Sequence, residues 1–167
     1  MGGTGWILEE IAKIQPSGLR IIYIDSSSKM IQLSKKRNVA FNTIEFIHAF
    51  LEDVNLSQQK YDVVLTPFLF DNFSQATAQF VFKKLDTILK CGGYWLYTDF
   101  YISEKNNYQQ KAVLKLMHVF FRLMCKIEAK KLPDMADCVS LYKSISNNYY
   151  CNNFIITLVL KKIIDRS

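Results

Sequence analysis

The sequence predicts an α/β fold built on a parallel sheet, and three observations carry that prediction. Short β-branched runs alternate with helical patterns along the 167 residues. The joints between them are brief, as in strand–helix–strand units. The run "RIIYID" (20–25) is apolar at most positions, which is the pattern of a strand buried on both faces.

Each element follows in order. Residues 6–15 place Ile7, Leu8, Ile11 and Ala12 on one helical stripe, which Pro16 and Gly18 end. After the strand at 20–25, "SSSKMIQLSKKR" (26–37) opens with serine caps and continues as a helix. "TIEFIHAF" (43–50) and "YDVVLTP" (61–67) are strands. "SQATAQFVFKKLDTILK" (74–90) is a helix with Ala78, Val81, Phe82, Leu85 and Ile88/Leu89 inward, and Gly92-Gly93 are expected to close it as a C-cap turn. "YWLYTDF" (94–100) is a strand. Residues 108–128 are expected to be the longest helix, with a wide Phe- and Met-rich stripe from Val113 to Ile127. "NFIITLVLKK" (153–162) closes the chain as a strand.

Composition excludes several classes. Half of the residues are hydrophobic and 14% are aromatic, which argues against disorder and fits one domain over residues 1–167. No apolar run reaches the ~18 residues of a membrane span, and the start lacks the basic and apolar regions of a secretory leader. The four cysteines (Cys91, Cys125, Cys138, Cys151) have no CxxC or histidine spacing, so they read as reduced thiols of a cytoplasmic protein, with no metal site. The net charge of +6 draws on Lys29, Lys35, Lys36 and Arg37 in one expected helix. A solvated helix face and a nucleic-acid surface both accommodate such a cluster.

Parallel α/β sheets bind ligands beyond the carboxyl ends of their strands. That rule points to residues 2–5, 25–28, 49–53, 66–73 and 99–104. "GGTG" at the mouth of a helix lets backbone approach a ligand closely. The dinucleotide fingerprint G-x-G-x-x-G/A fails at Leu8, and no Gly-Lys-Ser/Thr of a P-loop follows. What remains is a Gly-x-Gly pair with Asp25 at the end of the next strand, the separation expected of a carboxylate that holds ribose hydroxyls. Asp25 is equally a candidate cap for the helix after it.

Read together, these segments resemble the class I S-adenosylmethionine-dependent methyltransferases over nearly the whole chain. "GGTG" is similar to that family's glycine loop, "IIYIDSSSKMI" to its acidic second strand and Asp-x-Ser-x-x-Met run, and "YDVVLTPFLFDNF" to its fourth strand and active-site loop. "LKCGGYWLYTDF" resembles its fifth strand, and "NFIITLVLKK" the last strand of its terminal hairpin. The resemblance implies a Rossmann-like, doubly wound, mostly parallel sheet with a C-terminal antiparallel hairpin. It implies S-adenosylmethionine as cofactor, held by Gly2, Gly3, Gly5, Asp25, Ser26, Met30, Phe50, Leu51 and Thr66.

Two departures stand out. The family's loop has a glycine where Met1 stands and a strand before it, so an apolar strand is expected to be encoded upstream. Phe50 replaces an acidic residue that would meet the adenine; it stacks on the ring or belongs to the core. "TPFLF" (66–70) lacks the Asn/Asp-Pro-Pro-aromatic motif of enzymes that methylate base amines, which argues against nucleic acid as acceptor. Asp71, Asp99 and Tyr101 are the polar candidates for acceptor chemistry. His48 and His118 read as structural, with no serine or cysteine partner for a hydrolase triad. The expected activity is methyl transfer to a small molecule. The alternatives are a non-catalytic binding module on the same fold, or a methyltransferase directed at RNA.

Overall fold

The computed structural model describes residues 2–58, 60–101 and 132–163. The expected helix at 108–128, with His118 and Cys125, lies outside them. The chain divides into two compact units, Met1–Asn55 and Leu56–Ser167.

The first unit holds α1 (Trp6–Ile14), β1 (Ser17–Asp25), α2 (Ser28–Ser34) and β2 (Phe41–His48). The two strands pair in parallel, with Tyr23 opposite Phe46 and Asp25 opposite His48. Leu8 of α1, Tyr23 of β1 and Ile31 of α2 form the buried core, and Ile21, Val39, Ile44 and Phe46 pack against it. The periodicity of α1 explains this, because Leu8 and Ala12 are four residues apart and share its buried face. The helix α2 starts one residue after Ser27, whose hydroxyl accepts the Met30 N–H at 3.4 Å as a cap.

The second unit contains β3 (Tyr61–Pro67), a 3₁₀ turn (Phe70–Asn72), α3 (Gln75–Ile88), β4 (Leu89–Phe100), α4 (Ala136–Ser140), β5 (Lys143–Tyr150) and β6 (Ile155–Lys161). Its strand order is β3-β4-β6-β5. The β3–β4 pair is parallel, whereas β6 runs antiparallel to both β4 and β5. The C-terminal strands are therefore the antiparallel hairpin expected from the resemblance. Ser74 caps α3 by accepting the Thr77 N–H. The helix buries Ala78, Val81, Phe82, Leu85 and Ile88, the inward set that its period predicts. Phe82 stacks on Trp95 with ring centroids 4.6 Å apart, and the Tyr142 ring meets Trp95 edge-on at 5.6 Å.

One local expectation fails. Gly92-Gly93 do not cap α3, which ends at Ile88, with β4 beginning at once on Leu89. The pair lies within β4, where the register against β3 shifts. The cause is pairing with the last strand: the Gly92 N–H donates to the Lys162 carbonyl at 2.8 Å, and the Lys162 N–H donates back to Gly93 at 3.0 Å. Gly92, with φ 81°, supplies the left-handed backbone this irregularity needs.

Candidate functional site

In the first unit the glycine loop is fastened to β1 at several points. The Gly2 N–H donates to the Ile24 carbonyl at 3.3 Å. The Gly3 N–H donates to Asp25 Oδ2 at 3.0 Å, and the Gly3 carbonyl accepts from the Tyr23 hydroxyl at 2.8 Å. Residues 23 and 25 alternate along one strand and so project to the same face. The other Asp25 oxygen accepts the Ser27 N–H at 2.8 Å. Asp25 is only 2% exposed, yet each oxygen has one described donor and a second lone pair available to a ligand hydroxyl. Both roles read from the sequence, stabilising the turn before α2 and offering a carboxylate at the strand end, are compatible with this arrangement.

The three glycines have different reasons to be glycine. A Cβ on Gly2 would meet the Tyr23 ring at 2.1–2.4 Å, and one on Gly5 would meet Ser34 at 2.7 Å. Gly5 also has φ 74° as the residue before α1. Their close approaches are to the protein itself. Gly3 has φ 62° but nothing within 4 Å of where its Cβ would be, so open space lies beside it. A cofactor with a ribose and an adenine fits what is present: open space at Gly3, the Asp25 carboxylate, and an aromatic ring beyond β2. That ring is Phe50, 60% exposed, so it is not a core residue. Leu51 follows it in a turn that the Asp53 N–H closes onto the Phe50 carbonyl. Met30 and Ser26 are half-buried. His48 Nε2 lies 3.0 Å from the Ser26 carbonyl and donates to it, a structural role.

Two residues of this site escape sequence reading. Tyr23 binds Gly3, and Ser34 of α2, fully buried, places its hydroxyl 2.8 Å from the Tyr23 hydroxyl and 2.8 Å from the Met30 carbonyl. Burial pushes the Tyr23 hydroxyl above its ordinary pKa, which keeps it a donor. Arg37 adds an outer fastening: Nε donates to the Thr4 carbonyl at 2.9 Å, and the guanidinium pairs with Glu9 at 3.1 Å.

The remaining candidates lie in the second unit. Thr66 is buried, and its hydroxyl accepts from Trp95 Nε1 at 2.9 Å. Asp99, 2% exposed, receives three backbone donors: Phe70 at 3.0 Å, Asp71 at 3.3 Å and Phe100 at 2.8 Å. Its carboxylate therefore organises the loop after β3, where Phe68 takes a left-handed φ of 49°. Asp71 is half-buried and accepts from Asn72 Nδ2 at 2.7 Å. Burial and then the Asp99 charge push the Asp71 carboxyl well above the ordinary carboxylate range. Burial raises Asp99 as well, against its three backbone donors, which favour the ionised form. The exposed Tyr101 donates its N–H to the Phe154 carbonyl at 2.9 Å, and its ring meets Tyr149 at 5.5 Å. Asp71 and Asp99 are thus brought together, whereas Thr66 turns into the core.

Comparison with solved structures shows the fold. N-methyltransferase NodS from Bradyrhizobium japonicum aligns with a TM-score of 0.65 at 10% identity, over 97% of this chain and 82% of that one. An S-adenosylmethionine-dependent methyltransferase from Methanosarcina mazei aligns with a TM-score of 0.62 at 11% identity, over 98% and 90%. LepI in complex with S-adenosylmethionine gives a TM-score of 0.70 at 10% identity, over 98% of this chain and 41% of that one. No curated protein matches the chain in sequence. The sequence pattern of the family described as "Methyltransferase domain" matches residues 1–93, more than half of the chain. On that match the chain belongs to the methyltransferase-domain family, and its Rossmann-like α/β fold is the one shared by the solved class I methyltransferases.

Proposed function

We propose that the chain, acting as one methyltransferase domain over residues 1–167, binds S-adenosylmethionine and supports methyl transfer to a small-molecule acceptor in the cytoplasm. The observation that carries the reading is the Gly3–Asp25 hydrogen bond, which sets a carboxylate beside a glycine loop with open space at its turn. The cofactor, when bound, supplies an already activated methyl group on its sulfonium. The residues of this chain then have to hold and orient, and to keep water out. Asp25 is assigned to the ribose hydroxyls, the loop at Gly2, Gly3 and Gly5 to the methionine half, and Phe50 with Leu51 to the adenine. Ser26 and Met30 complete the proposed contacts, and Thr66, whose buried hydroxyl is taken up by Trp95, is left out of them. Asp71, Asp99 and Tyr101 are the polar groups proposed for the acceptor side.

Calorimetric titration with S-adenosylhomocysteine tests this reading. Binding by the wild-type chain is expected, with Asp25→Ala weaker by about 1.5–3 kcal/mol, the scale for losing hydrogen bonds to a charged group. Equal affinity in the two proteins rejects the ribose assignment. Absence of binding by the wild type rejects the cofactor.

A further inference from the structure

We infer that Tyr23 and Ser34 are positioning residues of the cofactor site, acting through the backbone of Gly3; this rests on the proposed binding of S-adenosylmethionine. The two peptide planes flanking Gly3 are both held by side chains of β1. Asp25 takes the N–H on one side at 3.0 Å, and Tyr23 holds the carbonyl on the other at 2.8 Å. Each peptide unit is rigid, so fixing both planes sets the two soft dihedrals between them. Glycine is the residue with most freedom to lose there, and its φ of 62° is a region it occupies without steric cost.

Ser34 steadies the tyrosine. Its hydroxyl oxygen lies 2.8 Å from that of Tyr23 and 3.2 Å from the Gly3 carbonyl, so strand, loop and α2 meet at one buried polar cluster. The Tyr23 ring is anchored independently, among Leu8 and Ile31 and edge-on to Phe46 at 5.5 Å. Removing the hydroxyl therefore leaves the ring in place. A loop ordered before the ligand arrives avoids part of the ordering cost of binding, and the carboxylate that Gly3 touches shares in that order.

The test is Tyr23→Phe, with Ser34→Ala as an independent second variant. Both are measured by S-adenosylhomocysteine titration well below the unfolding midpoint and by amide hydrogen exchange without ligand. Tyr23→Phe is expected to raise Kd about three- to tenfold, the range for one hydrogen bond. Ser34→Ala is expected to raise it roughly twofold. The Gly3 amide should exchange faster in both. Because both act through Gly3 and Asp25, Tyr23→Phe should change Kd little further in an Asp25→Asn background. A purely structural role would lower the unfolding midpoint and leave Kd unchanged. A wild type that binds, with Tyr23→Phe within twofold of it, overturns this inference alone. A wild type that does not bind overturns the cofactor reading and this inference with it.

Discussion

The backbone N–H of Asp71 donates to the carboxylate of Asp99 at 3.3 Å, so one acidic residue fixes the side chain of another. The pair cannot carry two full charges cheaply in a half-dry setting, so it holds a proton to higher pH than free carboxylates do: burial and the Asp99 charge push the Asp71 carboxyl up to about 8 from 3.8, and burial raises Asp99 as well.

A folded-state pKa above the unfolded one means that the native chain binds more protons between the two values. Stability then falls as pH rises from about 4 towards 8, and the penalty is absent below the unfolded pKa. Asp71→Asn removes this contribution and keeps an acceptor for Asn72. Urea midpoints at pH 5 and pH 8 should converge in the variant relative to wild type. Identical pH slopes in the two proteins would refute the pairing.

The methyl of the proposed cofactor is already activated, so positioning rather than proton removal is expected to carry the reaction. Once an acceptor is known, Asp71→Asn and Tyr101→Phe should each lower kcat less than about tenfold, below the 10²–10⁴ of general-base loss. A thousandfold fall in either, with cofactor affinity intact, would identify a base. Asp99→Asn is the wrong probe, because its amide would face backbone donors and disturb the loop itself.

Gly3 and Gly5 should respond differently to alanine. Both have positive φ, which costs alanine roughly 1–2 kcal/mol. Gly5→Ala adds a clash at 2.7 Å with Ser34, backbone included, where Gly3→Ala meets open space. Denaturant unfolding should therefore show Gly5→Ala as clearly the more destabilised. Equal losses would mean that α2 gives way freely.

Lys162 is 4% exposed, with its ammonium 2.6 Å from the Asp86 carbonyl, 3.1 Å from the Leu89 carbonyl and 3.5 Å from the Asp86 carboxylate. The Tyr142 hydroxyl donates to that same carboxylate. Lys162→Met leaves a largely buried carboxylate with its cation gone, and about 2–4 kcal/mol should be lost, somewhat under the scale for a fully buried pair. Thermal or urea unfolding measures it; a loss under 1 kcal/mol would show that water reaches the site.

Legibility in the sequence followed the reach of each interaction. The inward face of α3 could be read because helical periodicity is local, and Asp25 because it ends a strand at a recognisable distance from Gly5. The Tyr23–Ser34 cluster could not, since it joins residues of a strand, a helix and a loop that share no pattern along the chain. Gly92-Gly93 look like a stop after a helix, and only pairing with Lys162 makes them part of a strand. The strand β5, "KSISNNYY", has no apolar alternation to announce it; its extended form comes from its ladder with β6.

That same polarity in β5 has a colloidal consequence. It is the last strand of its sheet order, and among the described residues its ladder is with β6 alone. A bare strand edge is a template onto which another chain can add. Here the edge carries Lys143, Ser144, Ser146, Asn147 and Asn148, most of them exposed, beside the exposed Ile145, Tyr149 and Tyr150. An incoming strand would have to strip water from the polar residues of that row, and the apolar surface it could cover is confined to Ile145 and the tyrosines at one end. The lysine, serines and asparagines thus dilute the apolar content of the strand that sits where stickiness would be most dangerous.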